Sequence, residues 1–86
     1  MQHLPQFLEY LRHERGLSPR TLKAYQRDLE RFGSELQRLG ITGADRVDEH
    51  AVRSFIARLH RQGLGSRSIQ RMLSAVRSFY RWLMRE

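Results

Sequence analysis

Apolar residues recur at spacings of three and four along nearly the whole chain, and glycine interrupts that pattern at Gly16, Gly40 and Gly63. This combination dictates helices. About 3.6 residues per turn brings such positions to one face, and glycine takes the left-handed conformation that ends a helix without steric penalty. No alternating strand pattern and no internal repeat competes. The predicted fold class is therefore all-α, a four-helix bundle, and 86 residues make one domain, 1–86, with room for one core.

The segment boundaries follow from local chemistry. Helix one is predicted from about Pro5 to Arg15, with Phe7, Leu8 and Leu11 on one face and Gly16 as its stop. Being short, it is the element expected to be most weakly anchored. Helix two opens on Ser18 as N-cap and Pro19 at the first helical position, with Leu17 and Leu22 spaced to staple the cap. Leu22, Tyr25, Leu29, Phe32, Leu36 and Leu39 then form one apolar stripe. After a loop over 40–47, Asp48 caps helix three, which turns Val52, Phe55, Ile56 and Leu59 inward and ends at Gly63. Ser66 is predicted to cap helix four, whose inner face is Ile69, Met72, Leu73, Val76, Phe79, Tyr80 and Leu83.

Charge points to the kind of partner. The chain has 16 basic and 9 acidic residues, a formal net charge of +7, and all but one of the bases are arginine. Guanidinium suits phosphate and base edges better than ammonium does, so an anionic partner is expected. From Arg53 to Arg85 there are eight arginines and no acid, a run too long and too patterned for a localisation signal. Cysteine is absent, which excludes disulfides and thiolate metal sites and fits a reducing cytosol. No apolar run reaches the roughly 18 residues of a membrane span, and the N-terminus lacks a signal-peptide core, so a cytoplasmic protein is expected.

Projected at about 100° per residue, Arg67, Gln70, Arg71, Ser74, Arg77, Ser78 and Arg81 share the side of helix four opposite its apolar face. On helix two the same projection groups Arg20, Lys23, Arg27, Arg31 and Arg38, flanked by Asp28, Glu30 and Glu35. A major groove roughly 12 Å wide admits one helix whose Arg and Gln side chains read base edges while Ser and Arg hold phosphates. Ser18 and Ser66 stand at helix starts, where free N–H groups and the dipole favour an anion. A lone surface arginine is ordinarily just solvated. Eight uncompensated arginines with a common side are different, because their mutual repulsion is relieved by a polyanion.

The segments GLSPRTLKAYQRDL (Gly16–Leu29) and GLGSRSIQRMLSAVRSFYRWL (Gly63–Leu83) resemble the N-terminal core-binding domain of tyrosine recombinases, over essentially the whole chain. The resemblance is to the Xer type that resolves chromosome dimers, with the second segment leaning towards the XerC branch. It implies a SAM-like four-helix bundle that, with a separate catalytic domain, clamps half of a recombination site in double-stranded DNA, its second and fourth helices in the major groove. By position it implicates Ser18, Arg20, Thr21, Lys23, Ala24 and Arg27 on helix two, and Ser66, Arg67, Ser68, Gln70, Arg71, Ser74 and Arg77 on helix four. It further implies a partner recombinase in a tetrameric synapse, association with the nucleoid, and chemistry through a 3′-phosphotyrosine in a domain beyond Glu86. Binding without catalysis is thus expected of these residues, with no cofactor, metal or small-molecule ligand.

Some motifs mislead. His50-Ala51-Val52-Arg53 matches a His-x-x-Arg pattern but starts a helix without the companion catalytic groups. The four histidines lack metal-ligand spacing. Tyr10, Tyr25 and Tyr80 lie on or beside apolar stripes, and Trp82 sits where packing on helix one or on a separate catalytic domain is favoured over base stacking. The alternative function is a helical protein-interaction module for an acidic partner, since fold does not fix function. A membrane-surface module would need apolar faces free for lipid. A compact helix-turn-helix would need a shorter turn between helices two and three.

Overall fold

The computed structural model describes residues 3–43 and 46–85, so residues 44 and 45 of the predicted loop, and residue 86, lie outside the description. Four helices make the fold: α1 (Leu4–His13), α2 (Pro19–Arg38), α3 (Glu49–Arg61) and α4 (Ser66–Arg85). No strand occurs among the described residues.

Two predicted caps form. The Ser18 hydroxyl accepts the Thr21 N–H at 3.3 Å, and an Asp48 carboxylate oxygen accepts the Ala51 N–H at 2.9 Å. The third does not. The Ile69 N–H donates to the Gly65 carbonyl at 3.1 Å, so α4 begins one residue earlier than predicted and Ser66 is its first helical residue. Glycine is an acceptable N-cap because its carbonyl still receives the first helical bond. At the other ends, Gly40 (φ 74°) and Gly63 (φ 84°) let the Ile41 and Leu64 N–H groups fold back to the Leu36 and Leu59 carbonyls, at 2.9 and 3.2 Å. These are Schellman closures, and each satisfies a carbonyl that the helix end would otherwise leave open. α1 stops at His13, short of the predicted Arg15, because the Leu17 N–H already reaches back to the Leu11 carbonyl at 3.2 Å.

Each helix contributes to a single core cluster. Leu4, Phe7 and Leu11 come from α1; Leu29, Phe32 and Leu36 from α2; Phe55 and Leu59 from α3; Ile69, Met72, Val76 and Phe79 from α4. Ala51 and Ala75 are also fully buried, where small side chains let helices approach closely. Phe32 meets Phe55 edge-on at 5.1 Å, an arrangement worth about 0.5–1.5 kcal/mol beyond burial.

α1 is firmly held, contrary to expectation. Phe7 packs edge-on against Phe79 at 5.3 Å and lies 5.5 Å from Trp82, which is also 6.3 Å from Tyr10. The Tyr10 hydroxyl accepts from Arg85 Nη1 at 3.2 Å. An aromatic cluster thus replaces the length that α1 lacks, and Trp82 packs on α1 as its position suggested. Asp28 meets Arg71 and, further along both helices, Phe32 meets Tyr80. α2 and α4 therefore cross in the same sense, with Pro19 and Ser66 towards the same end of the bundle.

Candidate nucleic-acid interface

The outer face of α2 carries Arg20, Lys23, Arg27 and Arg31, all exposed and none in an ion pair among the described residues. Spacings of three, four and seven keep them on one side. Thr21 and Ala24 are half-buried at its edge, and Ser18 is exposed with its hydroxyl engaged by Thr21. On α4, Ser66, Arg67, Gln70, Ser74, Arg77 and Arg81 are exposed, while Ser68 and Ser78 are half-buried at the margins. Arg67, Arg77 and Arg81 likewise have no carboxylate partner among the described residues.

Arg71 differs from its neighbours. Its Nε and Nη2 donate to the two carboxylate oxygens of Asp28, both at 3.0 Å, and Asp28 is only 1% exposed. The side chain is half-exposed, and Nη1 takes no part in the two hydrogen bonds to Asp28. Arg71 therefore joins the edges of the two basic rows and is not wholly available to a ligand.

Arg38 departs further from the row predicted for helix two. It donates through Nε and Nη2 to Glu35, at 3.1 and 2.6 Å, and Glu35 also accepts from the Ser54 hydroxyl at 2.9 Å and lies 3.5 Å from Arg58 Nε. Asp28 and Glu35 are thus not flanking solvent charges, as the projection suggested, but buried acceptors covered by α4 and α3. A signal for this was present. The two acids are seven apart and bracket Phe32 at spacings of four and three, which places them at the border of the apolar stripe. Two charge-assisted hydrogen bonds from Arg38, with help from Ser54 and the nearby Arg58 charge, hold the Glu35 carboxyl below its ordinary pKa against the opposing effect of burial.

The net result is seven cations without an ion-pair partner among the described residues, four along α2 and three along α4, with Arg20 and Arg67 in the first turns of the two helices. Such an array suits phosphates through charge and base edges through its Arg and Gln side chains. His50 and Arg53 are both exposed in the first turns of α3, and Arg53 is occupied by a solvent-exposed pair with Glu49 at 2.6 Å. Tyr25 is half-buried against the core.

Comparison with known proteins agrees with this architecture. Residues 4–86 match the family model described as phage integrase, N-terminal SAM-like domain. The chain is 48% identical over 85 residues to tyrosine recombinase XerC of Pseudomonas syringae pv. tomato, covering 99% of this chain and 28% of that protein. It is 47% identical over 83 residues to the Azotobacter vinelandii XerC, covering 96% of this chain and 28% of the relative. For Pseudomonas aeruginosa XerC the identity is 45% over 83 residues, with 96% and 27% covered. The chain thus spans little more than a quarter of the length of these curated relatives. No solved structure matches it. A matched family model over nearly every residue, together with four helices in one core, makes this chain a member of the phage integrase N-terminal SAM-like domain family.

Proposed function

We propose that this chain is the DNA-binding N-terminal domain of an Xer-like tyrosine site-specific recombinase, holding one side of a half-site while strand cleavage is done by residues outside this segment. The observation that carries this is the row of exposed cations along α2 and α4 that have no ion-pair partner among the described residues. In this assignment α2 and α4 enter the major groove. Arg20, Lys23, Arg27, Arg67 and Arg77 contact phosphates or guanine edges, Gln70 reads an adenine edge, and Ser18, Thr21, Ser66, Ser68 and Ser74 contribute hydrogen bonds at the groove margin. Ala24 allows close approach, and Arg71 offers its remaining donor. The names of the relatives support recombination as the process. The whole protein would then act with a partner recombinase in a tetrameric synapse, in the cytoplasm on the nucleoid, in chromosome dimer resolution.

A salt titration tests the proposal. If four to six phosphates are neutralised, log K for duplex DNA falls against log salt with a slope of roughly −4 to −5. Half a clamp should also bind weakly, in the micromolar range on the order of non-specific binding. A slope near zero would overturn DNA binding and favour an acidic protein partner for the same surface.

A further inference from the structure

The second half of α2 and the last turns of α3 enclose a cleft of about 430 Å³, whose lining includes Arg31, Ser34, Glu35, Arg38, Arg58 and Gln62. Three guanidiniums stand here against one carboxylate, which only two of them engage. Oε2 of Glu35 accepts from Arg38 Nη2 and the Ser54 hydroxyl, and Oε1 accepts from Arg38 Nε and sits 3.5 Å from Arg58 Nε. A carboxylate offers about four acceptor sites, so Glu35 has none left for Arg31. Arg31 has no ion-pair partner among the described residues, and Arg58 is engaged only through Nε, which leaves both its terminal nitrogens for another acceptor. The cleft is thus concave, carries two positive charges in excess, and has N–H donors oriented from a buried anchor. These are the requirements of a tetrahedral oxyanion site.

We propose that this cleft binds a phosphate group, with Arg31 and Arg58 donating to its oxygens, the Gln62 amide assisting, and Glu35 acting as the positioning residue for Arg58 and Arg38. Arg31 follows Arg27 by about one turn on the same exposed side of α2, so the cleft continues the row already assigned to DNA. A backbone phosphodiester is the source that this continuity favours; free inorganic phosphate has the same chemistry. For that source the inference rests on the proposed function, and it adds α3 to a grip otherwise made by two helices.

The test compares this chain with its Arg31→Gln, Arg58→Gln and Arg61→Gln variants, Arg61 being exposed on α3 outside the cleft. Duplex affinity is measured against salt, and inorganic phosphate is titrated by NMR at ionic strength matched with chloride. Arg31→Gln and Arg58→Gln should each weaken duplex binding about three- to tenfold and flatten the salt slope by about 1, whereas Arg61→Gln should do neither. Arg31 has no internal partner, so its variant remains decisive if Arg58→Gln unfolds. If DNA binds and Arg31→Gln loses no more than Arg61→Gln, the backbone source is overturned while the recombinase assignment stands. Phosphate-induced shifts at Arg31, Arg58 and Gln62 that vanish in Arg31→Gln would then support a free-phosphate site, and unmoved resonances would overturn the cleft altogether. If the unaltered chain binds no duplex, the proposed function fails and the same phosphate titration alone decides the cleft.

Discussion

Two parts of α4 use the same side chain in opposite ways. On the outer face, Arg67, Arg77 and Arg81 are exposed and unpaired among the described residues; at the edge facing α2, Arg71 grips a carboxylate that water hardly reaches. A charge beside a buried opposite charge becomes part of the fold, because removing it strands its partner in a low-dielectric setting. A charge with no such partner is a standing invitation to an anion. Arginine count alone therefore does not measure a nucleic-acid surface.

The sharpest way to break this contrast is Arg71→Ala. Removing the guanidinium should destabilise the fold by about 2–3 kcal/mol, towards the lower end for breaking a buried pair because Arg71 is half-exposed and screened. For a domain of this size that lowers Tm by roughly 10–20 °C in a thermal melt. The double variant Asp28→Leu with Arg71→Met should recover most of it, since an apolar replacement of both partners leaves no orphan. An unchanged melt for Arg71→Ala would show that the pair with Asp28 contributes nothing to the fold.

Glu35 extends the contrast to pH. Its carboxyl is held below the ordinary range, so the folded pKa is lower than the unfolded one. The stability it supplies is present above the unfolded value of about 4.3 and is lost as pH falls through the folded value. Urea melts between pH 7 and pH 3 should show an acid limb that is shallower in Glu35→Gln, a variant already weaker at neutral pH. Parallel limbs would mean that Glu35 is not part of the acid response.

Arg77→Ala should behave in the opposite manner to Arg71→Ala. Stability should change by less than about 0.5 kcal/mol, while duplex affinity falls about three- to tenfold and the salt slope loses about 1. Equal affinity would take Arg77 out of the interface. The smallest effect is expected at Tyr80, whose hydroxyl is buried without a hydrogen-bond partner among the described residues and whose pKa is raised by that burial. Tyr80→Phe removes an unsatisfied group, so a melt should show neutral behaviour or a gain of up to about 1 kcal/mol. A clear loss would reveal a partner for that hydroxyl.

The family resemblance was legible in Gly16–Leu29 and Gly63–Leu83, and the caps at Ser18 and Asp48 were legible because a cap is a contact over three residues. The same holds for the glycine stops and for most of the core stripe. The anchoring of α1 was not, because it depends on Phe79 and Trp82 more than 70 residues away meeting Phe7.

Periodicity, punctuation and charge along the chain were enough to determine four helices, which side of each turns inward, and a basic exterior, since all of these arise from interactions within one or two helical turns. Which charges stay outside was decided only by helix packing. Asp28 and Glu35 lie at the border of their stripe, and a border residue is buried or solvated according to what the neighbouring helix brings against it. Here α4 brings Arg71 and α3 brings Ser54 and Arg58, so two carboxylates become internal acceptors and part of the basic surface becomes scaffold.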